Sequence, residues 1–229
     1  MKTLKITLSI IAALLVVAAI VFSHFGGFRK ITFQTADVGG DTLVYVSMKG
    51  DYAGTGDVIG HVRQTLEENF GVTAPRGFGL YFDNPRQVAR ENLRYDAGCI
   101  VSGVGSDTLA SIAKKFEVRV SPVRPSLVTD FPYRGGPSIL VGIMRVYPAM
   151  TAWFGQQGMM DRFGPVMEIY DIPARTIHYR VEILDTPETP AAPAGGVGSA
   201  APVPSAAPTA PAASPASATP AAPDAPARK

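Results

Sequence analysis

The chain has one cysteine, one tryptophan and three histidines in 229 residues. A lone Cys99 excludes an internal disulfide, and with it the usual clue to compartment. His24, His61 and His178 lack metal-ligand spacing, so neither a zinc site nor any other cofactor is expected. Charge of one sign is also lacking. A formal net charge of +2, without a basic stripe or a helix-turn-helix segment, leaves no electrostatic footprint for nucleic acid. No phosphate loop is present, because Gly50-x-x-x-Gly54-x-Gly56 lacks the Lys and the Ser or Thr that such a loop uses. One end lacks bulky apolar groups altogether. From Pro187 to Lys229 there is no aromatic, Leu, Ile or Met, and eleven of the twenty prolines lie there. Such a segment cannot offset its ordering entropy, so residues 187–229 are expected to form a disordered tail whose partner the sequence does not name.

What is present begins with an apolar run, Ile6 to Phe25, interrupted only by Thr7, Ser9, Ser23 and His24. At about 1.5 Å per residue the run spans roughly 30 Å, one hydrocarbon core. Residues 1–30 are therefore read as a single-pass membrane anchor with its flanks, the lipid bilayer being the partner of residues 6–25. A cleaved signal peptide is the competing reading, but Ile20, Val21 and Phe22 continue the run past the nearest cleavage-like site, Val17-Ala18-Ala19. Lys2 and Lys5 on a very short amino-terminal tail favour that tail staying inside, which leaves the folded domain outside the cytoplasm.

Residues 31–186 carry enough Val, Ile, Leu, Phe and Tyr for one core. Strands are expected at Leu43 to Met48, Gly77 to Phe82 and Leu93 to Val101. A helix on the stripe Val58, Ile59, Val62, Leu66 and Phe70 falls between the first two. A short helix, Ser106 to Lys115, connects to a second series. That series has strands at Phe116 to Val120, Ser126 to Phe131, Val166 to Tyr170 and Ile177 to Leu184. Its helix runs from Pro137 or Ser138 to Trp153, and Pro148 should kink or split it. Strand, helix, strand, strand thus occurs twice, in halves of about 38–104 and 116–186. Two motif echoes support a duplication: Tyr81-Phe82-Asp83-x-Pro85 against Ile169-Tyr170-Asp171-x-Pro173, and Thr42-Leu43-Val44 against Ser126-Leu127-Val128. Asp83 and Asp171 are expected to be turn formers bonding nearby amides. The fold class is α+β, with two helices over antiparallel sheet, the sheets of the two halves being expected to face each other across a shared groove.

The strand Val166 to Tyr170 contains the candidate site. Alternation places Glu168 on one face with Tyr170. A carboxylate withdrawn from water beside aromatic rings raises its pKa, finds a partner, or waits for a cationic or hydrogen-bonding ligand. Tyr147, Trp153, Phe131, Tyr81 and Tyr45 are candidates to line the same pocket with Glu168 and Tyr170.

The duplicated plan, with Leu93-Arg94-Tyr95-Asp96-Ala97-Gly98-Cys99-Ile100-Val101 in one half and Met167-Glu168-Ile169-Tyr170 in the other, resembles the GyrI-like family of small-molecule-binding domains, which also serve as effector-binding parts of multidrug-responsive regulators. The layout of anchor, domain and tail, with Tyr81-Phe82-Asp83-Asn84-Pro85, Phe131-Pro132-Tyr133 and Arg145-Val146-Tyr147-Pro148-Ala149, is similar to the testis-expressed ER-phagy receptor family. That family's autophagy role depends on an aromatic-x-x-aliphatic peptide in the tail, and no aromatic follows Tyr179, so the role is not carried over. The resemblance implies a membrane-anchored, non-catalytic module for a small apolar or cationic ligand held by Glu168. A hydrolase using Glu168 as general base is the alternative, since some relatives open strained rings with such a glutamate; a protein-docking platform is another.

Overall fold

The computed structural model describes residues 2–185, so the tail expected from residue 187 lies outside the described residues. The chain starts with helix α1 (Lys2–His24) and the strands β1 (Gln34–Val38) and β2 (Thr42–Lys49). Helix α2 (Thr55–Phe70), strands β3 (Arg76–Tyr81) and β4 (Arg94–Val101), and the short helix α3 (Ser106–Ile112) follow. Then come β5 (Glu117–Val120), β6 (Arg124–Pro132), α4 (Gly136–Gln156), β7 (Phe163–Asp171) and β8 (Thr176–Ile183). The architecture is α+β, as expected.

The eight strands form one antiparallel sheet in the order β1-β6-β8-β7-β3-β4-β2-β5. Instead of two sheets facing across a groove, the halves share a single sheet joined at its centre by β3 and β7. Reading outward from that joint, β4 and β2 on one side answer β8 and β6 on the other. Taking as axis the pair Gly79 opposite Glu168, one of the two middle pairs of the joint, Leu80-Tyr81 and Ile169-Tyr170 follow its two members. Tyr81 therefore corresponds to Tyr170. The echo read from sequence, Tyr81 against Ile169, is slipped by one residue, and a slip of one exchanges the two faces of a strand.

β1 has no apolar alternation and was not expected. It exists because β6 supplies its hydrogen bonds, Gln34 to Val38 running against Val128 to Arg124. β5 pairs in the same manner with β2. Each half's leading strand thus belongs to the sheet edge of the other half. The β1–β2 and β5–β6 connections meet where they pass: Gly40 N–H donates to Ser121 O and Ser121 N–H to Asp41 O, both at 2.8 Å. This crossing ties the two ends of the sheet together and bends it back on itself. The inner face holds Leu43, Tyr45, Phe78, Ile100, Met167 and Ile169. The helix-covered face holds the larger core, including Val62, Leu66, Cys99, Val146, Met150, Phe154, Tyr179 and Val181.

Two local expectations are corrected. α4 is one continuous helix through Pro148, which sits on the exposed side, so the proline does not split it. Asp83 does not close its own turn; it accepts the Arg94 backbone N–H at 2.7 Å and the Arg94 guanidinium at 2.8 and 3.0 Å, pinning the end of β3 to β4. Asp171 does act locally, accepting Ala174 N–H at 2.9 Å.

Candidate functional site

Glu168 occupies the middle of β7 on the face covered by α4, and only 2% of it is exposed. Alternation along β7 puts Val166 and Tyr170 beside it, and both belong to the helix-side core. The Tyr147 hydroxyl, on α4, donates to Glu168 Oε1 at 2.7 Å, and the Tyr170 hydroxyl donates to Oε2 at the same distance. Tyr81 from β3 brings its hydroxyl to 3.5 Å from that of Tyr170.

Glycine makes this convergence possible. A Cβ on Gly79, directly across from Glu168, would lie 2.5 Å from the Tyr81 hydroxyl, so the missing side chain lets that phenol lie back across its own strand toward the carboxylate. Tyr179 on β8 is paired with Glu168 from the other side. Its ring meets that of Tyr147 edge-on, with centroids 6.2 Å apart. Its hydroxyl is buried, with no hydrogen-bond partner in the structure.

Burial raises the Glu168 pKa, and the two phenol hydrogen bonds oppose that rise. Burial, and then the charge of Glu168, push the phenols of Tyr81, Tyr147, Tyr170 and Tyr179 above the ordinary tyrosine range. These four phenols therefore remain neutral donors. The arrangement is a carboxylate with no ion-pair partner among the described residues, held by two hydroxyls and flanked by a third whose hydrogen-bonding capacity is unused.

Of the residues expected in the site, Glu168, Tyr170, Tyr147 and Tyr81 come together. Tyr45 does not. It lies on the inner face of the sheet, where the Arg119 guanidinium sits 4.9 Å from its ring centroid, because β2 is apolar on both faces and its parity could not be read from sequence. Phe131 is core beneath α4, 3.3 Å from where a Gly142 Cβ would stand. Trp153 packs edge-on against Phe154 farther along the same helix. Tyr179 was missed, although Ile177-x-Tyr179-x-Val181 marks its face by strand alternation. Tyr52 and Tyr95 also escaped notice; they extend the ring cluster from Tyr81, with centroids 4.7 and 6.2 Å from it.

A family model described as a GyrI-like small molecule binding domain matches residues 39–184. No curated protein matches the chain. Several solved structures align with it at low identity. The C-terminal domain of EcmrR is 11% identical, with 66% of this chain and 96% of that one covered and a TM-score of 0.45. An integron cassette protein from the Vibrio cholerae mobile metagenome is 10% identical, with 66% and 95% covered and a TM-score of 0.42. A hydrolase from Listeria innocua is 12% identical, with 67% and 92% covered and a TM-score of 0.44.

Proposed function

Because the chain belongs to the GyrI-like small molecule binding domain family, we propose that it is a non-catalytic binding module, held at a membrane by α1, whose site over Glu168 takes a small cationic ligand with an apolar body. The observation that carries this reading is a fully buried carboxylate whose only partners among the described residues are phenols. Burying a charge without a counter-charge is costly, and two hydroxyl hydrogen bonds offset only part of that cost. A cation entering among Tyr81, Tyr147 and Tyr170 would meet the carboxylate and the negative ring faces together. Tyr147 and Tyr81 are only partly buried, so they are the rings that move to admit it. Residues 31–186 form the domain in this reading, and the bilayer is the partner of residues 6–25. Within Thr3–His24 an 18-residue stretch reaches a mean hydropathy of 2.8, and the segment has the length to cross a membrane, although a signal sequence has the same properties. The domain faces away from the cytoplasm, and protease accessibility in spheroplasts reads that side directly.

The test is Glu168→Gln, assayed with a lipophilic cationic dye and with strained-ring esters and epoxides. Loss of a charge-assisted contact weakens dye binding by about 10- to 100-fold without lowering the melting temperature, since the neutral amide relieves the cost of the buried charge, and neither protein turns over substrate. Dye affinity of the unaltered protein rises with pH, because Glu168 is raised by burial and holds a cation only when ionised. Turnover by the unaltered protein that disappears in the variant would replace this reading with the general-base one. Dye binding by neither protein would leave a docking platform.

A further inference from the structure

α2 and α4 occupy corresponding places over the two halves of the sheet, and their outer faces differ. α2 turns Asp57, His61, Gln64, Glu67 and Glu68 to solvent, as a surface helix should. α4 turns out Gly136, Pro137, Leu140, Ile143, Met144, Pro148, Thr151 and Ala152, with Arg145 the only charge. Leu140, Ile143 and Met144 are 60%, 43% and 51% exposed, and their spacing puts them on one stripe. A row of large apolar groups left in water on one of two equivalent helices marks a contact.

What the stripe meets is indicated by its neighbours. The start of α4 abuts the end of α1: the Arg134 guanidinium donates to His24 O at 2.6 Å, and Gly26 packs against Phe131 and Pro132. Farther along α4, Arg145 donates to Arg29 O at 3.3 Å. A crevice of about 360 Å³ opens at this junction, lined by His24, Phe28, Arg29, Pro132 and Arg134 among others. Phe28 at its rim is 68% exposed. Apolar side chains flanked by exposed Arg29, Lys30, Arg134 and Arg145, next to the end of an apolar helix, have the composition of a segment lying in a membrane interface.

We propose that α4 rests its outer face on the bilayer that α1 enters, with Leu140, Ile143 and Met144 among the upper acyl chains and Arg29, Arg134 and Arg145 on lipid phosphates. The inference rests on reading α1 as a membrane span. It goes beyond that reading by fixing how the domain sits, with the helix that carries Tyr147 against the lipid.

The experiment uses the full chain in vesicles of phosphatidylcholine and phosphatidylglycerol containing brominated lipid. Leu15→Cys, Ile143→Cys and His61→Cys are each labelled with an environment-sensitive fluorophore, the native Cys99 being buried. The expected result is strong quenching at positions 15 and 143, a blue-shifted emission at 143, and none of this at 61 on α2. Replacing phosphatidylglycerol with phosphatidylcholine should weaken quenching at 143 and leave 15 unchanged; no change at 143 would overturn the role of the arginines. Quenching at 15 without quenching at 143 would overturn the inference while α1 remains a span. A blue shift at 143 without quenching would mean that protein, such as a second copy, covers the stripe, and would also overturn it. Absence of quenching at both positions would remove the span reading, and the inference with it.

Discussion

Two carboxylates are buried on opposite faces of the sheet, and the chain treats them differently. Asp96, on the inner face, has the Ser47 hydroxyl at 2.8 Å and the Arg119 guanidinium at 3.1 Å. Glu168, on the helix face, has only phenols among the described residues. The first is a structural pair with its own cation, and the second leaves the place of a cation open. Burial nevertheless outweighs the partners of Asp96 and pushes its pKa up to about 6 from 3.8. Between those values the folded protein binds more protons than the unfolded chain, so this group favours folding most below pH 3.8, and that contribution is lost as pH rises through about 6. Asp96→Asn should therefore flatten the pH dependence of stability over that interval by up to about 3 kcal/mol, and leave the profile above pH 7 parallel to that of the unaltered protein. Urea titrations at stepped pH check this; an unchanged slope between pH 4 and 6 would count against it.

Within the elements, the two helices offer a matched pair of glycines. On α2, a Cβ at Gly60 would meet nothing within 4 Å, so Gly60→Ala should stabilise the protein by about 0.5–1 kcal/mol. On α4, a Cβ at Gly142 would collide with the Tyr179 hydroxyl and stand 3.3 Å from the Phe131 ring. There the same substitution should change sign and cost about 1–3 kcal/mol, because neither buried ring can withdraw without disturbing the core. Chemical denaturation of both variants decides the point. The contrast also shows what sequence patterning could reach. The 3.6-residue stripe gave α2 and α4 because each buries one face, and strand alternation put Glu168 beside Tyr170. Patterning could not give β1, whose partner lies in the other half, nor the side of β2 on which Tyr45 falls. It did not show that Gly79 and Gly142 mark the places where phenols pass, since their role is to leave space for rings supplied by other strands. The split expected at Pro148 does not occur, because a proline on the exposed side of a long, well-packed helix costs one backbone hydrogen bond without ending the helix.

At the scale of the molecule, neither half has a complete sheet. β3 needs β7, β6 needs β1, and β2 needs β5. A chain of residues 31–104 alone should lack a dispersed amide NMR spectrum. Mixing it with residues 105–185 should restore one, and a dispersed spectrum of either piece by itself would show that the halves are independent. The position of the Gly79–Glu168 contact on the joint between them has a further meaning. Two identical subunits related by a dyad through that contact must place the same residue on both sides of it. They would face either two acids, which repel at so short a separation, or two glycines, which offer no charge. A continuous polypeptide, free to differ from itself across its own axis, can set a single acid there with an empty side chain opposite, which a pair of identical subunits cannot.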